Sequence, residues 1–442
     1  MNARRLLMIA TLLLMAPLTR AATTEELEAR VGALAEQLRQ VQAELAQLRQ
    51  AQGGPAQGAL AQAGQPPGGQ AGGGPSTMTA ASAGVPVAPA GESSAPLSFW
   101  GYGELNYYHP TRDSAQTTAD VARFVLGASY RFDENTRFFS ELEVEHGVSS
   151  AADPGEVEVE QAFIERRFTD ALFLRAGLVL IPSGMLNEFH EPTRYYGVAR
   201  NFVETGIIPT TWREGGIQLL GSTESGLSWS VGVTTGFNLN KWDAASGEGQ
   251  ESPLGAIHQE LAQASARDLS GFLSMSYSGV PGLRLGASAF TGGATQGQSA
   301  LGSARVSLWE AHARWTPAQW EFSALYARGH ISNTAVFNLR TLGSPTPIPQ
   351  SFFGWYGEAA WHAIDRGNWS ITPFIRYERF NPASAYADLG QGLTPDALRD
   401  REVFTGGINW MIAPGVVVKA DYLGFRHGSG DNRYDLGLGY QF

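Results

Sequence analysis

The chain has no cysteine. Disulfide frameworks and thiolate-ligated metals are thereby excluded, as is a lipid-modified N-terminal cysteine. Charged residues make up only 17% of the 442 residues, little for a soluble protein. Lysine is nearly missing: of 31 Lys and Arg residues only Lys241 and Lys419 are lysines. No run of eighteen apolar residues follows the N-terminus, which argues against transmembrane helices. The net charge of −11 disfavours nucleic acid as a partner. What is plentiful is glycine, at 53 residues, and aromatic side chains, at 11%. Mean hydropathy is −0.16. Strands with one apolar and one polar face reconcile these numbers, because they present apolar surface without apolar runs.

The last nine residues, YDLGLGYQF, carry that pattern. Tyr434, Leu436, Leu438, Tyr440 and Phe442 share one face; Asp435, Gly437, Gly439 and Gln441 share the other. In a soluble protein such a strand belongs to a sandwich. In a bacterial outer-membrane barrel its apolar face meets lipid, with aromatics at the interfaces.

Three segments precede the strands. Arg4 and Arg5 lead an apolar stretch from Leu6 to Leu18, followed by Ala21 and Ala22, which reads as a signal peptide over residues 1–21. Residues 22–50 place Val31, Leu38 and Leu45 at heptad position a, and Leu27, Leu34, Val41 and Leu48 at d, as in a coiled coil. An amphipathic helix packed on the chain's own barrel is the other reading of that spacing, and dimer and trimer are not separated by it. Residues 51–96 are a flexible Gly/Pro/Ala linker with an r.m.s. reach of about 40 Å. Together they predict an all-β transmembrane barrel over residues 97–442, with about sixteen antiparallel strands and an N-terminal periplasmic coiled coil.

The strands are expected near 99–108, 122–131, 137–146, 156–168, 172–181, 215–221, 227–237, 270–279, 283–291, 303–315, 319–329, 352–363, 368–379, 402–412, 416–426 and 433–442, joined alternately by tight turns and long loops. If apolar faces turn to lipid, Arg123, Arg131, Arg137, Arg175, Arg314, Arg376 and Lys419 line the interior. With them come Glu141, Glu143, Glu145, Glu156, Glu158, Glu160, Glu358, Glu378 and Asp421. Six of these glutamates are expected to face one another across the third and fourth strands, compensated by Arg123 opposite Glu145, by neighbouring arginines, or by a divalent cation. The segment after the fifth strand, 182–217, is too long for a turn. It either folds into the lumen, setting Glu188, His190, Glu191, Arg194, Arg200 and Arg213 at a constriction, or lies on the surface between protomers. His190-Glu191 lacks the second histidine of a zinc-binding HExxH, so no metal, cofactor or catalytic residue is assigned.

Several stretches resemble the phosphate-selective porin O/P family of bacterial outer-membrane channels: FWGYGELNYYHP at 99–110, GEVEVEQAFIERRF at 155–168, LRAGLVLIPSGMLNEFHEP at 174–192, IIPTTWREGG at 207–216, and the terminal Phe442 behind a heptad coil and linker. The resemblance implies a homotrimer of sixteen-stranded barrels in the outer membrane, in contact with lipid, passing small solutes or ions, with anions and phosphate preferred. It also implies an arginine ladder and a lysine cluster; here lysine is confined to two positions. A barrel serving as an envelope tether or adhesin through its coiled coil is the alternative.

Overall fold

The computed structural model describes residues 96–150, 153–298, 302–426 and 430–442. The expected signal peptide, coiled coil and most of the linker lie outside these residues. The strands are β1 (Leu97–Pro110), β2 (Thr118–Arg131), β3 (Thr136–Glu145), β4 (Val157–Thr169), β5 (Leu172–Leu180), β6 (Arg213–Ser222), β7 (Leu227–Thr234), β8 (Ser270–Val280), β9 (Leu283–Gly293), β10 (Arg305–Trp315), β11 (Trp320–Ile331), β12 (Ser351–Trp361), β13 (Ile364–Asp365), β14 (Ser370–Ala385), β15 (Arg401–Ala413), β16 (Val416–Phe425) and β17 (Arg433–Gln441). Each pairs antiparallel with its neighbour in sequence, and β1 pairs with β17 to close the ring. The two-residue β13 only extends the hairpin between β12 and β14, which pair directly. The wall therefore has sixteen strands, the number the alternation predicts. Closure leaves no sheet edge, the condition for a sheet to sit in lipid.

The apolar faces turn outward. On β17, Tyr434 and Leu436 are 57% and 54% exposed while Asp435 between them is fully buried. Exposed tryptophans gather toward the tight-turn ends of the strands, at Trp315, Trp320, Trp361 and Trp410, with Trp309 and Trp355 near mid-strand. This is the aromatic girdle of a membrane barrel. The tight turns are where glycine is needed. Gly282 and Gly415, between β8 and β9 and between β15 and β16, have φ of 75° and 80°.

Two features depart from the expected pattern. The six glutamates expected to face one another here do not alternate evenly. Glu143 faces Glu158, but Glu141 faces Gln161 and Leu142 faces Val159, so Glu160 is an extra residue in a bulge. The bulge buries both Glu160 and Gln161 on one side. Glu156 lies before β4 and is exposed. The second departure concerns the interior. On β8–β12 the inner face is apolar, with Phe272, Phe290, Val306, Leu308, Leu325 and Phe352 buried. Residues of the 182–212 segment (Val203, Ile207, Ile208, Trp212) and of the loop after β7 (Phe237, Leu239, Leu254, Ile257) pack against them. Trp212, Phe237 and Phe290 form a mutual aromatic cluster with centroid distances of 4.5–5.4 Å. Burying each ring contributes about 2–3 kcal/mol.

Candidate functional site

Residues 181–213 leave β5, enter the barrel, and return to β6. Asn187 ties the two ends of this excursion. Its Nδ2 donates to the carbonyls of Ile181 (2.7 Å) and Trp212 (2.8 Å), and its Oδ1 accepts from the Trp212 amide (2.7 Å). Glu204 organises the middle. Its Oε1 accepts from the amides of Met185 and Leu186, and its Oε2 accepts from Asn201 Nδ2 (2.9 Å) and the Tyr356 hydroxyl (2.8 Å). Tyr356 lies on β12, seven strands round the ring from β5, so the segment reaches the opposite wall. It is not a surface loop.

Between those anchors the segment runs along the polar inner wall. His190 Nδ1 donates to the Asn187 carbonyl (2.9 Å), which fixes one proton. His190 Nε2 meets Glu160 Oε1 (2.9 Å) and the Tyr102 hydroxyl (2.8 Å), and Arg123 donates to the His190 carbonyl. Tyr195 donates to Glu104 Oε2 (2.6 Å), and its ring receives Lys419 Nζ at 3.6 Å. The Val198 amide donates to Asp421 (2.6 Å), and the Phe202 amide to Glu378 (2.6 Å). Arg376 donates to the Tyr196 carbonyl (3.1 Å). Amides that the irregular backbone leaves unpaired are thus satisfied by wall carboxylates, as burial requires.

Most of the remaining inward charge is neutralised in pairs. Arg123 bonds Glu104 at 2.7 Å rather than Glu145, although Glu145 is its partner in register. Arg137 and Arg175 both bond Glu165 at 2.8 Å, and Arg376 bonds Glu358 and Glu378. Arg314 lies 3.5 Å from Glu321. Arg213 bonds Glu158 and Glu260. Arg200 bonds the Thr211 hydroxyl (3.3 Å), and Arg194 lies only 3.9 Å from Glu191 with its side chain half exposed. Glu143 Oε1 and Lys419 Nζ are buried without a hydrogen bond among the described residues. Glu145 and Glu188 are half-buried, and Arg131 sits exposed at the tight-turn end opposite Arg137.

Alternation alone does not reveal several members of this network. The face of Glu165 is blurred by a polar run, Glu165-Arg166-Arg167. Tyr102, Tyr195 and Asn187 carry no charge to mark them. Arg284 belongs with them. It is exposed, faces Arg314 across the ladder, and makes no ion pair among the described residues. Among the described residues no cluster of His, Asp and Glu is arranged to hold a metal ion.

No family model matches the chain. It is 30% identical over 338 residues to a protein of Aquifex aeolicus described as an uncharacterized protein, covering 74% of this chain and 75% of that one. Among solved structures it resembles Salmonella typhi OmpF in complex with daunomycin, with a TM-score of 0.55 and 14% identity, over 78% of this chain and 97% of that one. An anion-selective porin from Comamonas acidovorans matches with a TM-score of 0.49 and 12% identity, over 78% and 99%. The barrel thus has the fold of the outer-membrane protein OmpF, and the chain belongs to one family with the Aquifex aeolicus protein.

Proposed function

We propose that this chain is an outer-membrane porin for passive diffusion of small hydrophilic solutes or ions, assembled as a homotrimer and preferring anions. A closed barrel with an apolar outer face and aromatic girdles fits a bilayer. The inward segment narrows the lumen, and side chains on it and on the facing wall sort what passes. The charged side chains inside the barrel divide into two groups on this reading. Glu104, Glu160, Glu204, Glu378 and Asp421 hold the segment in place and are consumed by it. Arg194 and Arg284, with Arg314 beside them, remain accessible to a solute.

The observation that carries the anion preference is this unequal use of charge. The chain has more acids than bases, but wall carboxylates accept hydrogen bonds from the inward segment, whereas Arg284 faces no acid. Anion passage, with phosphate as the strongest candidate from the resemblance to phosphate-selective porins, follows. Residues 1–21 then direct export, and residues 22–50 form a periplasmic coiled coil on its linker. The test is the reversal potential of the purified protein in a planar bilayer under a KCl gradient, followed by addition of phosphate. A chloride-favouring potential with phosphate block is expected. A potassium-favouring potential without block overturns the anion preference, and absence of conductance overturns the porin itself.

A further inference from the structure

The outer wall carries one arginine that the barrel pattern does not explain. Arg328 on β11 has Trp309 of β10 and Phe353 of β12 as its ladder neighbours. Its sequence neighbours Ala327 and Gly329 are buried, so Arg328 points away from the barrel interior. It is exposed and makes no hydrogen bond or ion pair among the described residues. Level with it and toward the tight turns lie aromatic pairs, Trp309 with Tyr326 (5.3 Å) and Trp355 with Tyr377 (5.5 Å). Arg305 at the start of β10 and Arg426 just beyond β16 are exposed at the same end, also without a carboxylate partner among the described residues. Arg379, opposite Trp355, is bonded to Asp400. Asp400 is partly desolvated, which pushes it up, but donation from Asn381 and Arg379 outweighs this and holds it below the usual range. Elsewhere the outward face at this end carries Tyr107, Val157, Val233 and Tyr434, all exposed and uncharged.

An arginine on the lipid face is strongly destabilising at the bilayer midplane and nearly without cost near the interface. Arg328 lies three residues before the end of β11, about 10 Å below it, and its long stem reaches further up. The girdle beneath places its guanidinium at head-group level. A free guanidinium there presents a planar fork of donors matched to phosphate oxygens.

We propose that the outward face of β10–β16, at the long-loop end, is a docking surface for the phosphate of an anionic lipid in the leaflet around that end, with Arg328 its central contact. The proposal rests on the membrane reading given above. The test is native mass spectrometry of the full-length, detergent-purified protein titrated with bisphosphorylated lipid A and, separately, with phosphatidylethanolamine. Lipid A binds more tightly than phosphatidylethanolamine. Arg328→Gln weakens lipid A binding about fivefold and the Arg328→Gln/Arg426→Gln pair about thirtyfold, from about 1 kcal/mol per arginine at a charged surface. Arg366→Gln, in the turn at the opposite end, leaves it unchanged. Equal binding of the two lipids, or unchanged lipid A affinity in the double variant, overturns the proposal. So does loss of oligomer without loss of lipid, which makes the face a contact between copies. The same preparation is tested in a planar bilayer. If it conducts while the double variant binds normally, only the docking surface falls; if the wild type never inserts, the membrane reading falls with it.

Discussion

The inner faces of β8–β12 and of β1–β4 line one barrel and hold one inward segment by opposite means. On β8–β12 the contact is apolar: Trp212, Ile207 and Val203 sink among Phe272, Phe290, Leu325 and Phe352, as in the core of a soluble domain. On β1–β4 it is polar and charged. His190 and Tyr195 meet Glu160, Tyr102 and Glu104, and only a small apolar cluster of Trp100, Phe139, Phe163 and Val179 lies below. Apolar packing is non-directional and tolerates adjustment, whereas the polar side works only if every donor finds its acceptor. The difference explains how an irregular segment of some thirty residues stays inside a barrel: one side supplies adhesion, the other register.

The comparison breaks most clearly at Trp212, which is fully buried. Trp212→Ala leaves a cavity against Phe237 and Phe290 and is expected to cost about 3–5 kcal/mol. Urea unfolding of the detergent-purified protein measures it. A wild-type midpoint would mean that the apolar side is not a core. Glu204 comes next, because it accepts from four donors and bridges to the far wall. Glu204→Ala strands the Met185 and Leu186 amides and is expected to cost about 2–3 kcal/mol. It should also raise single-channel conductance as the segment loosens. Tyr356→Phe removes only the cross-lumen bond and should cost about 1 kcal/mol. On the polar wall, Glu160→Gln keeps the shape but removes the charge that His190 faces, and a loss of about 1–2 kcal/mol is expected. Protease cleavage within 185–205 is the readout, and an unchanged digestion pattern would show that the Glu160–His190 contact does not hold the segment.

Much of the wall was legible in the sequence, and much of the interior was not. Alternation located all sixteen wall strands because one face had to be apolar, and the Arg123–Glu145 register followed from turn position. The same rule failed wherever both faces are apolar. Val306 and Leu308 point inward on a strand whose Trp309 and Trp315 point outward, and only the packed loop explains them. It failed again at the bulge, since one extra residue at Glu160 shifts the pattern without any local signature. Charge was readable, but its use was not. Arg123 and Arg376 look like solute-binding arginines in sequence, yet each is nearly buried and tied to carboxylates. Removing either would expose an uncompensated acid, so a change in ion flow would not isolate its effect on solutes.

Arg284 escapes that difficulty and gives the smallest structural effect with the most specific readout. Exposed and without an ion pair among the described residues, it contributes little to folding, so Arg284→Gln should shift stability by no more than about 0.5 kcal/mol. If accessible arginines set the preference, the same change should move the reversal potential toward potassium while leaving the unfolding midpoint in place. Glu145→Gln is the matched control, because Glu145 is half-buried on the acidic wall and no hydrogen bond from the inward segment reaches its carboxylate among the described residues. A potential that follows Glu145 and ignores Arg284 would transfer ion selection to the acidic wall. One that follows Arg284 would show that this barrel uses its acids as structure and its few free arginines as function.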